Sequence, residues 1–155
     1  MGYNVRDLID KAIDIGKKQV IIYDNIGRSN SSNLSIKIVS DVLSKKQKKT
    51  IEYYELLKKE IKVEDEEEID FLTFDKLSFL VNEFNMKKYI PEINNAKEFL
   101  MFSLNLEEDI NSLFIDLQGR LMNNTKDISS KCYKVLSEMI TYKVKTIKGL
   151  KDTLK

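Results

Sequence analysis

The sequence predicts an all-α protein: four long helices in two antiparallel hairpins, joined by a long crossover that contains a short helix. Three observations carry this. One proline and five glycines in 155 residues leave too little punctuation for a turn-rich β-sandwich or barrel. Four long segments repeat apolar residues at three- and four-residue spacing. Roughly thirty residues separate the second and third of these segments, more than a simple up-down bundle needs. The length suits one domain able to bury a core without disulfides. Its parts are hairpin one at about residues 3–61, the crossover at about 62–94 and hairpin two at about 95–154.

The first helix is predicted over about residues 5–26 and stops at Gly27. Residues 28–33 form a polar Ser/Asn loop. The second helix runs over about 34–61. The acidic run Glu64-Asp65-Glu66-Glu67-Glu68 follows as a solvated connector; it lacks the alternating ligands and central glycine of an EF-hand loop. A short crossover helix covers about 71–84, and Tyr89-Ile90-Pro91 breaks the chain just ahead of the next helix. The third long helix spans about 95–122. Asn123-Asn124-Thr125 is a turn, with Thr125 or Asp127 as the next N-cap, and the fourth helix continues to about Leu154.

Composition excludes several chemistries. Hydrophobic residues make up 42% and charged residues 33%, which argues against disorder. The absence of histidine removes the commonest metal ligand and the Ser-His and Cys-His nucleophile pairs. A single cysteine excludes an internal disulfide and Cys-rich metal sites. A net charge of +1 gives no footprint for nucleic acid. The basic run Lys45-Lys46-Gln47-Lys48-Lys49 is followed by Glu52 and Glu55 and reads as a solvated helix face. No stretch reaches the roughly 20 apolar residues of a membrane span, and the N-terminus lacks the unbroken apolar core of a signal peptide. A cytoplasmic protein with Cys132 as a buried, reduced thiol is the expectation.

Each apolar stripe is interrupted near its middle. The first reads Ile9, Ala12, Gly16, Gln19 or Val20, Tyr23; the second Val39, Leu43, Gln47, Thr50, Tyr54, Leu57. The third reads Ala96, Leu100, Ser103, Glu107, Ile110, Phe114, Leu117, Leu121; the fourth Cys132, Leu136, Met139, Lys143, Thr146, Leu150. In an antiparallel bundle the middles of helices meet at one level. Gly16, Gln47, Thr50, Glu107, Lys143 and Thr146 are therefore expected to share one core layer. Bundle metal sites are built in such a layer, from a Glu on each of two helices and a Glu-x-x-His on each of the others.

Four local motifs carry a family resemblance. Gly16 to Tyr23 (GKKQVIIY) looks like a first-helix motif in which a ligand Glu precedes a Tyr by seven positions. Gln47 to Tyr54 (QKKTIEYY) looks like Glu-x-x-His with its hydrophobic and aromatic tail. Glu107 to Phe114 (EEDINSLF) looks like the third-helix copy of the first motif, and Lys143-Val144-Lys145-Thr146 falls where the second Glu-x-x-His belongs. The chain thus resembles the rubrerythrin-like branch of the ferritin-like superfamily, over nearly its whole length. The resemblance implies a ferritin-like four-helix bundle, homodimerisation and a di-iron layer. Of the six ligand positions only Glu107 keeps its ligand type; Gly16, Gln47, Thr50, Lys143 and Thr146 have replaced the rest. The rubredoxin-type iron domain of full-length members has no counterpart in these residues.

Two arrangements of Glu107 and Lys143 are open. Both side chains point inward and pair, with Gln47, Thr50, Thr146 and Tyr54 or Tyr23 completing the hydrogen bonds. Otherwise both reach solvent at the stripe edge, with Glu108 and Asp109 offering a shifted phase. Three functions follow. The first is a non-catalytic relative without cofactor, serving as a structural or protein-interaction module with a homodimer or another protein as partner. The second is a di-iron peroxidase or oxidase with an all-carboxylate site rebuilt from Glu52, Glu107, Glu108 or Glu138, acceptable to hard cations. The third is an unrelated helical adaptor.

Overall fold

The computed structural model describes residues 3–62, 68–69, 71–86, 90–125 and 131–155. It is all-helical apart from one two-residue bridge. The long helices are α1 (Val5–Ser29), α2 (Leu34–Lys59), α4 (Ala96–Thr125) and α5 (Lys131–Leu154), with the shorter α3 (Phe71–Met86) between the two hairpins. Strand β1 (Tyr3–Asn4) pairs antiparallel with β2 (Glu68–Ile69).

Local chemistry sets the helix starts. The Asn4 side chain accepts from the backbone N–H groups of Arg6 at 2.9 Å and Asp7 at 3.4 Å, while the Asp7 carboxylate accepts from the Asn4 N–H at 2.8 Å, a reciprocal capping box. Asn33 caps α2 through the Ile36 N–H at 3.2 Å. Asn95 accepts from the Glu98 N–H at 2.8 Å, so α4 begins at Ala96, after its cap. Lys58 and Lys59 sit in the last turn of α2, where they complement the helix dipole.

The hairpin contacts run in opposite order along α1 and α2. Asp10 meets Lys58 at 2.6 Å, Gly16 meets Gln47 at 3.4 Å, and Asp24 meets Ser44 at 2.5 Å. The two helices are therefore antiparallel. So are α1 and α4, where Gln19 reaches Glu107 and Tyr23 reaches Ser103. Hence α2 and α4 point the same way, and no short turn can join them. The intervening chain must cross the length of the bundle. It is tied to the N-terminus by the β1–β2 bridge, by Arg6 donating to the Ile61 carbonyl at 2.8 Å, and by Lys11 over the Phe74 ring.

The predicted elements need five corrections. Gly27 does not stop α1, which continues to Ser29, because the glycine lets α2 approach closely rather than ending the helix. The second helix ends at Lys59, with Glu60 as its cap, not at residue 61. The crossover helix extends to Met86. Asn123-Asn124-Thr125 is helical rather than a turn, since weak helix formers are tolerated in a last turn. Glu68 is not simply a solvated connector: its backbone pairs with Asn4. The rest of the acidic run, Tyr89 and the N-cap candidate Asp127 lie outside the described residues.

The stripes pack largely as the spacing requires, but Val39, Ala96, Leu100 and Thr146 are only half-buried, and Phe99 rather than Leu100 enters the core. Ile9, Ala12, Leu43, Leu57, Ile110, Phe114, Leu117, Leu121, Leu136, Met139 and Leu150 are buried, and so is Cys132. In the basic run the four lysines are exposed while Gln47 between them is buried. Among the described residues no helix is long and apolar enough to cross a membrane.

Candidate functional site

A polar layer crosses the middle of the core. Each of the four long helices contributes at a stripe position, because a three- or four-residue step keeps a side chain on the same face. Glu107 of α4 and Lys143 of α5 are 2% and 1% exposed. The Lys143 ammonium donates to Glu107 Oε2 at 2.5 Å. Gln19 of α1 donates its amide to Glu107 Oε1 at 2.7 Å. Both carboxylate oxygens therefore have a donor, one of them cationic, which is how a buried carboxylate is tolerated. Glu108 and Asp109 are exposed, so the inward phase is that of Glu107.

The remaining layer residues do not serve the pair as anticipated. Gln47 is buried but donates to the Gly16 carbonyl at 3.4 Å. Thr50 donates to the Lys46 carbonyl and Thr146 to the Tyr142 carbonyl, each one turn back on its own helix. Hydroxyls in helices commonly bond this way, and the choice withdraws both from the layer's centre. Tyr23 pairs with Ser103 at 2.9 Å and lies 3.5 Å from the Gln19 amide. Tyr54 contributes nothing to the pair; its buried hydroxyl has no hydrogen-bond partner among the described residues.

Gln19 and Ser103 are the participants that motif reading passed over. Gln19 lies three residues after Gly16 and four before Tyr23; Ser103 lies four before Glu107. Both already stand on the stripes read from the sequence, Gln19 as an alternative to Val20; a polar residue at such a position is the signal that would have joined them to the layer.

Burial, and next the Glu107 carboxylate, push the phenols of Tyr23 and Tyr54 well above their ordinary value near 10.0. The fold therefore holds both phenols neutral. Below about pH 10 folded and unfolded chains carry the same neutral phenols. Above it the unfolded chain ionises first, so stability falls as pH rises toward the folded values. Tyr54→Phe is expected to be within about 1 kcal/mol of wild type at pH 8, or more stable, since it removes an unpaired hydroxyl. Urea unfolding at pH 9 and 11 checks the rest: the loss between the two is expected to be smaller in Tyr54→Phe than in wild type.

A di-iron centre, which the family resemblance implies, does not fit this layer. Such a centre asks for four carboxylates and two imidazoles; the layer offers one carboxylate, already held by an ammonium. A Cβ placed at Gly16 would lie 3.0 Å from both Gln47 Nε2 and Ile51 Cγ1, so a Glu there would have to displace both side chains. Glu52, Glu108 and Glu138 are exposed and do not join Glu107. Among the described residues no three His, Cys, Asp or Glu side chains form a group able to hold a metal ion.

Comparison with known proteins finds no matching family model, no similar curated protein and no similar solved structure.

Proposed function

We propose that this chain is a rubrerythrin-related, ferritin-like four-helix bundle in which a lysine–glutamate pair replaces the di-iron layer. It serves as a structural or protein-interaction module rather than as a peroxidase or oxidase. The observation that carries the reading is Lys143 Nζ at 2.5 Å from Glu107 Oε2, with both groups buried. Lys143 stands where the second Glu-x-x-His would begin, and its positive charge neutralises Glu107 as a cation would. The parallel course of α2 and α4, joined by one long crossover, supports the ferritin-like connectivity. Exposed Leu34, Ile38 and Val42, spaced by four on α2, offer an apolar row for a protein partner.

Ferrous iron added anaerobically and then exposed to peroxide tests the reading. The oxidation rate with protein is expected to equal that of protein-free buffer. Saturable acceleration at stoichiometric protein would overturn it.

A further inference from the structure

A cavity of about 320 Å³ opens beside the polar layer. Its volume lies at the lower end of small-molecule sites. At its buried end stand Glu107, Ser103 and Tyr23. Leu43, Leu150 and the Tyr142 ring supply apolar lining. Three exposed lysines, Lys46 and Lys49 of α2 and Lys145 of α5, complete it toward solvent.

Charge is distributed unevenly around this cavity. Glu107 is the one carboxylate in the lining, and its two oxygens are taken by Gln19 and Lys143. None of the three lysines shows an ion pair within 4.0 Å to a carboxylate of a described residue. The outer part of the cavity therefore favours a negative ligand group.

Gly149, an exposed residue of α5, also lines the cavity. It lies inside α5, where glycine costs about 1 kcal/mol relative to alanine. A Cβ built there would meet nothing within 4 Å, so no packing contact requires the glycine. A long side chain directed inward from this position would take up cavity space.

From these we infer that the cavity between α2 and α5 binds a small amphipathic organic anion, its carboxylate or phosphomonoester head at Lys46, Lys49 and Lys145 and its apolar body against Leu43, Leu150 and Tyr142. The inference rests on the cavity and not on the ancestry of the layer.

Octanoate and octyl phosphate, titrated calorimetrically into the full chain with chelator present, test it separately from any metal binding. Octanol and inorganic phosphate are the controls. At least one of the two amphiphiles is expected to bind once per chain, and which one does so identifies the head group. Gly149→Leu is expected to weaken that binding by about tenfold or more, because it fills the site. Replacing Lys46, Lys49 and Lys145 together by Gln is expected to weaken the anion about tenfold while leaving octanol unchanged. This second variant alters exposed side chains only, so it keeps the test decisive if the leucine disturbs folding. Failure of both amphiphiles to bind, or unchanged affinity in a folded Gly149→Leu or in the lysine variant, would overturn the inference. Equal binding of inorganic phosphate would also overturn it, by placing the anion on surface lysines alone.

Discussion

Lys143→Met is expected to destabilise the protein by about 3–5 kcal/mol, because it leaves the buried Glu107 carboxylate without its counter-charge. Gln19 would remain on Oε1, but a neutral amide cannot replace an ammonium 2.5 Å from Oε2. Glu107→Leu is expected to be costly for the reciprocal reason, since it strands the Lys143 ammonium at 1% exposure. The double variant is expected to be far milder than the two losses added together. Replacing a buried pair by apolar groups of similar volume is often close to neutral. Urea unfolding of all four proteins gives the coupling directly. Additive losses would mean that the two groups do not stabilise each other, and the polar layer would then be two separate buried charges.

Gly27→Ala is the second large effect. A Cβ at Gly27 would lie 2.6 Å from Ser40 Cβ and closer still to its Oγ. Ser40 cannot simply rotate away without cost, since its hydroxyl donates to the Tyr23 carbonyl at 2.8 Å. The α1–α2 spacing must therefore open. Overpacking of this kind costs about 1–3 kcal/mol, against a helix-propensity gain of about 1 kcal/mol for alanine. A net loss of up to about 2 kcal/mol is expected in thermal or urea unfolding. Ser40→Gly in the same chain removes both obstructing atoms and is expected to recover most of that loss. A Gly27→Ala variant more stable than wild type would show that the helices do not meet as closely as described.

These two sites also show what the sequence makes legible. Periodicity identifies the faces of α1, α2, α4 and α5 because burial follows the three- and four-residue step so closely. It puts Glu107 and Lys143 on the apolar stripes for the same reason. It cannot choose between an inner pair and two edge residues, since that depends on the depth of two helices distant in the chain. Gly27 has the opposite difficulty. A glycine near a helix end reads locally as a stop, and only the neighbouring helix shows that close approach is its purpose. The hydrogen bonds of Gln47, Thr50 and Thr146 were out of reach too. Each side chain faces both the layer and a backbone carbonyl, and small differences in side-chain rotation decide between them. Gln19 wins the place at Glu107 because α1 runs antiparallel to α4 at that level, a relation that no local motif contains.

The most direct test of the proposal that the Lys143–Glu107 pair stands in place of a metal layer is equilibrium dialysis of the untagged protein against ferrous iron under anaerobic conditions, followed by metal analysis. Retention of no stoichiometric iron after removal of free metal is the expected result, with Lys143 holding the place beside Glu107. About two tightly held ions per chain, the complement of a di-iron bundle, would contradict it and require a carboxylate site other than the one described.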